Sequence, residues 1–155
     1  MLLWAAPVAG AGVVRVRDGG VGSCVPPESL LGRPWERLGH AQRYQVYIDP
    51  SAIAASNGKV EVWLLLSFSY WNPREEDWTR GSLVQRLRID CEWHSFQLDE
   101  EHEFSLPMGS GCYLGGMGSF WGGRGMRRRY PPGWNEDIAA GTPEALAAAR
   151  VCATP

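Results

Sequence analysis

A strand–turn–strand pattern in residues 44–70 constrains the fold of this chain more than any other feature. Residues 44–49 alternate between inward and outward side chains, as expected for a half-buried strand. Asp49-Pro50-Ser51 ends that strand because proline has no N–H to donate to a sheet. We predict one helical turn in residues 51–56 and a tight reversal at Asn57-Gly58, a pair that accepts positive φ angles.

The second strand of this pattern, residues 59–70, has apolar side chains on both faces. One face carries an unbroken apolar series: Val60, Val62, Leu64, Leu66, Phe68 and Tyr70. The opposite face carries Trp63 and Leu65 among polar residues. A solvated face does not normally hold such a pair, so we expect it either to be covered by the C-terminal helix or to be exposed as a contact patch.

Further strands are predicted on either side of this pair. Residues 35–40 fit a first strand. Residues 83–94 alternate again, with an inward series of Leu83, Leu87, Ile89, Cys91 and Trp93. The apolar phase then moves to Phe96 and Leu98, a one-residue shift that predicts a β-bulge near His94 or Ser95.

The C-terminus predicts one short helix. Thr142 is a good N-cap, Pro143 suits the first helical position and Glu144 suits the helix dipole. The predicted inner face contains Ala145, Ala148, Ala149 and Cys152. About ten residues are too few for a helix to persist alone in water. A disulfide from Cys152 to Cys91 would dock it, contributing roughly 4 kcal/mol in the chain-entropy model.

The cysteines also bear on the compartment. None of the four lies in a zinc-knuckle spacing, and their even number allows disulfides in an oxidising compartment. The alternative is a cytosolic chain with four buried thiols. Cys24 and Cys112 could form a second bridge, which their spacing neither supports nor excludes.

The first 34 residues divide into two segments before the main domain. Residues 1–11 are apolar and end in small residues, like the end of a secretory signal without its basic start. Residues 12–34 are rich in Gly and Pro, and we interpret them as a linker or tail. The folded domain is predicted at 35–155. Val21-Gly22-Ser23-Cys24 resembles a lipoprotein cleavage site, but Arg15, Arg17 and Asp18 interrupt the apolar run, so a lipid anchor is a weaker expectation.

Two segments are candidate binding surfaces besides Trp63 and Leu65. Residues 109–125 are rich in glycine, and they are either a loose hairpin or an adaptable ligand loop with Tyr113, Phe120 and Trp121 as rigid contacts. Arg127, Arg128 and Arg129 form the basic cluster of the chain, which could bind anions but is typical of a solvated loop. A net charge of −2 argues against a nucleic-acid partner.

Catalytic and metal-binding patterns are weak. His94 and His102 lie beside carboxylates, but no His-x-His or i, i+4 spacing concentrates them. A hydrolase or metal enzyme that uses both remains a rival interpretation, and it requires the two imidazoles to converge in one cleft. We expect no catalytic residues, no metal and no cofactor.

Taken in order, several of these motifs resemble the bacterial surface-adhesin protein E family. They are Trp35, Tyr47-Ile48-Asp49 with Ser51 and Ile53, Gly58-Lys59-Val60-Glu61-Val62-Trp63, Asp90-Cys91, Trp134, Gly141-Thr142-Pro143 and Cys152. The resemblance implies an antiparallel sheet with a C-terminal helix held by a disulfide, matched here by Cys91 and Cys152. It also implies a surface protein that binds host extracellular-matrix or serum proteins.

The residues and the resemblance together predict an α+β fold. We expect an antiparallel sheet of about five or six strands with one short, disulfide-tethered C-terminal helix. The predicted function is an exported, non-enzymatic, adhesin-like protein of the bacterial cell envelope, in the periplasm or on the outer-membrane surface, with a protein ligand. The alternative is a periplasmic accessory protein that binds another bacterial envelope protein.

Overall fold

The two strands predicted around Asn57-Gly58 form the centre of an antiparallel sheet. The computed structural model describes residues 14–15, 21–22, 24–68, 81–117 and 135–152. The strands in chain order are β1 (Val14–Arg15), β2 (Val21–Gly22), β3 (Glu36–Ala41), β4 (Tyr44–Ile48), β5 (Ala54–Ser56), β6 (Lys59–Phe68), β7 (Ser82–Asp90), β8 (Ser95–Leu106), β9 (Ser110–Met117) and β10 (Glu136–Asp137). One helix, α1 (Pro143–Val151), follows, and 3-10 turns occupy Glu28–Leu30, Pro50–Ala52 and Pro107–Gly109.

Eight strands of the described part form one sheet. Six of them lie in the order β10-β8-β7-β6-β4-β3, while β5 pairs with β6 and β9 pairs with β8. Every pairing is antiparallel. The strands β1 and β2 form a separate two-stranded pair. The predicted α+β fold, an antiparallel sheet with one C-terminal helix, is confirmed.

The connection between β4 and β6 is partly as predicted. Asp49 caps the turn Pro50–Ala52, because its carboxylate accepts the N–H of Ser51 at 2.9 Å. Residues 54–56 then form β5 instead of continuing the predicted helical turn. Asn57 and Gly58 have φ angles of 51° and 73°, which confirms the tight reversal.

The sheet is buried on both faces. The first face packs under α1 in a cluster centred on Val62, Leu64, Leu66, Leu87 and Ile89, with Ala147 and Ala148 from the helix. The second face packs a smaller cluster of Leu30, Trp63, Leu65, Val84 and Phe104. The alternation predicted for β6 therefore assigns its side chains to the correct faces.

The helix begins as predicted and turns a slightly different face inward. The hydroxyl of Thr142 accepts the N–H of Ala145 at 3.2 Å, and Pro143 occupies the first turn. Ala147 is buried whereas Ala149 is exposed, so the predicted inner face is wrong at Ala149. Ala145, Ala148 and Cys152 face the core as predicted, and Ala147 is buried beside them in place of Ala149.

Two disulfides connect distant parts of the described chain. Cys91 and Cys152 are bonded, with Cα atoms 5.5 Å apart, and this bond tethers the end of α1 to the end of β7. Cys24 and Cys112 form the second bridge. The tether predicted for the helix is confirmed, although the expectation of an inward-facing Cys91 is wrong because that residue lies in an exposed turn.

Residues 24–34, predicted as part of a linker or tail, contact the sheet at several points. Cys24 is bonded to β9, Leu30 is buried in the second cluster, and Arg33 pairs with Asp49. The boundary of the folded domain at residue 35 stays a prediction.

Candidate binding surface

Trp63 and Leu65 are buried rather than exposed. Trp63 is 8% exposed and Leu65 is fully buried. Leu30, Val84 and Phe104 pack around them. The prediction that this pair forms an exposed contact patch is therefore wrong. The C-terminal helix does not cover the pair either, because α1 packs on the opposite face of the sheet. Leu30, from the segment before β3, packs against the pair instead.

The ring of Trp63 is held by cations. The guanidinium of Arg33 lies 3.9 Å from the ring centroid, and that of Arg86 lies 5.8 Å away. Arg33 also donates to a carboxylate oxygen of Asp49 at 2.7 Å. The tryptophan thus links the segment before β3 to the centre of the sheet, which is a structural role.

Asp49 is the anionic partner in this arrangement. Burial acts to raise the pKa of its carboxyl, but hydrogen bonds from Ser51 and Arg33, and the charge of Arg33, outweigh that effect. The pKa of Asp49 is consequently below its usual value. The carboxylate therefore stays charged while it pairs with Arg33.

A row of polar side chains crosses β6, β7, β8 and β9 on the same face. Arg86 pairs with Glu100 at 2.5 Å and with Glu61 at 3.8 Å. The two nitrogens of His102 lie 3.1 Å from a Glu100 oxygen and 3.0 Å from the hydroxyl of Tyr113. Most of these polar groups are paired within the row, as is typical of a structural network, although Nε of Arg86 is buried without a hydrogen-bond partner among the described residues.

Tyr113, one of the predicted contacts, belongs to this row. Its ring packs edge-on to Phe104 with centroids 5.7 Å apart, and its hydroxyl faces His102. Burial, followed by the nearby charge of Glu100, raises the pKa of the Tyr113 phenol. Its half-buried ring keeps some surface, so a ligand contact by Tyr113 stays a prediction.

The two histidines of the rival enzyme hypothesis do not converge. His94 ends the exposed turn before β8, and His102 lies eight residues further along that extended strand. At about 3.3 Å per residue the two positions are roughly 26 Å apart. No group of three or more His, Cys, Asp or Glu residues in the described segments could hold a metal ion. The hypothesis of a His94–His102 site is therefore wrong.

The remaining predicted contacts, Phe120, Trp121 and Arg127 to Arg129, lie outside the described residues. They stay predictions.

The alternation rule failed at the β7–β8 connection. The strand β7 ends at Asp90, and residues 91–94 form a turn in which Trp93 is 75% exposed. The register shift lies between Arg86 and Leu87 rather than near His94, where it was predicted. The signal that could have located this turn is Asp90, because an aspartate at a strand end can accept the N–H groups two and three residues later.

A comparison with known protein families shows which family the chain belongs to. The profile of the family described as surface-adhesin protein E matches residues 35–153. The chain belongs to this family. The matched range contains the whole eight-stranded sheet and α1. Among curated proteins, no sequence matches the chain significantly.

Solved structures of protein E from Haemophilus influenzae have a similar architecture. The selenomethionine form is 15% identical, with a TM-score of 0.50 over 83% of this chain and 93% of that chain. Another structure of the same protein is 17% identical, with a TM-score of 0.49 over 83% of this chain and 91% of that chain. At 15% identity, the likeness to the selenomethionine form shows a shared fold and no more.

No helix in the described ranges is sufficiently long and apolar to cross a membrane.

Proposed function

We propose that this chain is an exported, non-enzymatic binding protein of a bacterial cell envelope that contacts host or extracellular proteins. The observation that carries the proposal is the surface-adhesin protein E match, which extends over the sheet and the tethered helix. A match to an isolated motif would support kinship less well, because it would not include the sheet and the helix together.

The cysteine pairing supports export. No cysteine of this chain is free, since Cys91 pairs with Cys152 and Cys24 with Cys112. Such bonds persist in oxidising compartments and are rare in the cytosol. We therefore place the protein in the periplasm or on the outer-membrane surface.

The arrangement of reactive side chains supports binding over catalysis. His102 contacts both Glu100 and Tyr113, and Arg86 is paired with two carboxylates. An accessory protein of the envelope was the alternative, and an open apolar patch around Trp63 would have favoured it. The burial of Trp63 removes that support.

Binding to immobilised proteins tests the proposal. The purified oxidised chain is applied to collagen, fibronectin and laminin as common matrix proteins, with serum albumin as the control surface. Saturable binding to at least one matrix protein above the albumin level is the expected result. Binding no stronger than to albumin on all three contradicts the host-binding role, and recovery of a bacterial envelope protein by cross-linking in cells would then favour the accessory-protein alternative.

A further inference from the structure

The turn that connects β7 and β8 presents a tryptophan to solvent. Trp93 is 75% exposed, the largest exposed fraction among the large hydrophobic side chains of the described residues. The other tryptophan on this part of the sheet, Trp63, is buried. A tryptophan ring carries a large apolar area, and its exposure adds nothing to the stability of the folded chain.

This turn is held rigidly in spite of its exposure. A carboxylate oxygen of Asp90 accepts the N–H of Glu92 at 3.1 Å and that of Trp93 at 3.0 Å. The carbonyl of His94 accepts the N–H of Ile138 at 3.0 Å, and Cys91 is bonded to Cys152. The ring is thus displayed on a turn that is attached to the β10 segment and to the end of α1. A turn that is already ordered loses less conformational entropy when a partner binds.

The surroundings of the ring are acidic. Glu92 is exposed in the same turn, and Asp137 is exposed on β10, opposite Ser95. Within the segments that the structure describes, neither carboxylate forms an ion pair. Lys59 lies opposite Asp90 in the β6–β7 register, at the same end of the sheet. Carboxylates beside an exposed indole favour a cationic partner over an anionic membrane surface.

We propose that the β7–β8 turn is a docking surface for a basic patch on a protein partner. An arginine or lysine of the partner stacks on the ring of Trp93, while Glu92 and Asp137 pair with its charges. This inference rests on the proposed binding function and adds the surface and the chemistry of the partner. Tryptophan at the centre of a rigid surface is also the residue type most enriched among binding hot spots.

The test uses the oxidised full chain and an immobilised nine-residue oligo-arginine peptide, with oligo-glutamate as the reference surface. Trp93→Ala is expected to weaken binding to the arginine peptide roughly fivefold or more, and Trp93→Phe to weaken it less. Glu92→Gln with Asp137→Asn is expected to weaken binding and to reduce its salt dependence. The matched control is Leu31→Ala, an exposed apolar residue outside the turn, which should bind like the wild type.

Three results would overturn the inference. They are wild-type affinity in Trp93→Ala, equal losses in Trp93→Ala and Leu31→Ala, and Trp93-dependent binding to phosphatidylcholine–phosphatidylglycerol vesicles without binding to the peptide. The matrix-protein assay separates this inference from the proposed function. Matrix binding that does not depend on Trp93 overturns the docking surface alone, whereas peptide binding that needs Trp93 without any matrix binding overturns the host-binding role alone.

Discussion

At the scale of single residues, charges in the described part of the chain act chiefly to hold segments in place. Arg33 contacts both Trp63 and Asp49, so one side chain combines a cation–π contact with an ion pair. Glu144 is the opposite case, because it is a carboxyl that burial disfavours in its charged form. For the carboxyl group in each case, the direction in which its replacement changes the stability can be predicted.

Asp49→Asn should lower the free energy of unfolding by about 2 kcal/mol near neutral pH, since it leaves Arg33 without its anionic partner. The pKa of Asp49 is lowered in the folded state, so its stabilisation is present above the usual value of 3.8 and is lost as the pH falls through the lower folded pKa. The free energies of unfolding of the wild type and Asp49→Asn, measured by urea titration, should therefore differ at pH 7 and converge in strong acid.

The control for this prediction is Asp99→Asn. Asp99 pairs with Arg88, whose side chain is 43% exposed, so the expected loss is below about 1 kcal/mol. Equal losses of unfolding free energy in Asp49→Asn and Asp99→Asn would show that the buried Arg33–Asp49 pair stabilises the protein no more than the exposed pair does.

Glu144→Gln should raise the melting temperature at pH 7. Burial raises the pKa of this carboxyl, and repulsion from Glu136 and Glu101 acts in the same direction. The folded state therefore binds the proton more tightly than the unfolded chain does, and the native protein gains stability as the pH falls from the folded pKa towards 4.5. The advantage of the variant should accordingly shrink towards pH 4.

Differential scanning calorimetry from pH 4 to pH 8 measures this effect, with the exposed Glu28→Gln as the control. A lower melting temperature for Glu144→Gln at pH 7 would show instead that the favourable charge at the helix N-terminus outweighs the cost of burial.

At the scale of secondary-structure elements, the fold depends on a helix too short to be stable by itself. The nine residues of α1 pack on the first face of the sheet and end at a disulfide. Its buried residues are Pro143, Ala147 and Ala148, which have little apolar area, with Leu146 and Val151 partly buried beside them. The disulfide therefore adds substantially to its attachment.

Replacing Cys91 and Cys152 together by alanine should destabilise the protein by about 4 kcal/mol, because the bond closes a loop between residues 61 positions apart. Hydrogen exchange should accelerate in α1 more than in β6. The control pair is Cys24→Ala with Cys112→Ala, which should lower stability while leaving the relative protection of α1 unchanged. An unchanged melting temperature in the first variant would contradict the role of the tether.

Periodicity predicted those elements in which burial follows the side-chain alternation directly. The strand β6 and the start of α1 are of this kind, because apolar spacing and capping residues are local signals. The β7–β8 turn could not be found in that way. Cys91 and Trp93 continue the apolar alternation of β7, yet the capping carboxylate of Asp90 ends the strand and the ring points into solvent.

At the scale of the whole molecule, the packing on the second face of the sheet could not be predicted from local sequence patterns. Leu30 and Arg33 cover Trp63 from a Gly- and Pro-rich segment with no period of its own, far from β6 in sequence. Packing between such distant segments has no periodic signature. The presence of Trp63 and Leu65 on one face of β6 was predictable, whereas the identity of their cover was not.

The central claim for the whole molecule is that a member of the surface-adhesin protein E family folds in an oxidising compartment with both disulfides formed. The family match, the antiparallel sheet and the tethered helix all agree with a protein E domain folded under oxidising conditions.

Non-reducing peptide mapping of the protein isolated from its native cells tests this claim most directly. Mass spectrometry should detect one linked peptide pair that contains Cys91 and Cys152 and a second that contains Cys24 and Cys112. Free thiols at all four positions in freshly alkylated cells would contradict both the exported location and the covalently held helix.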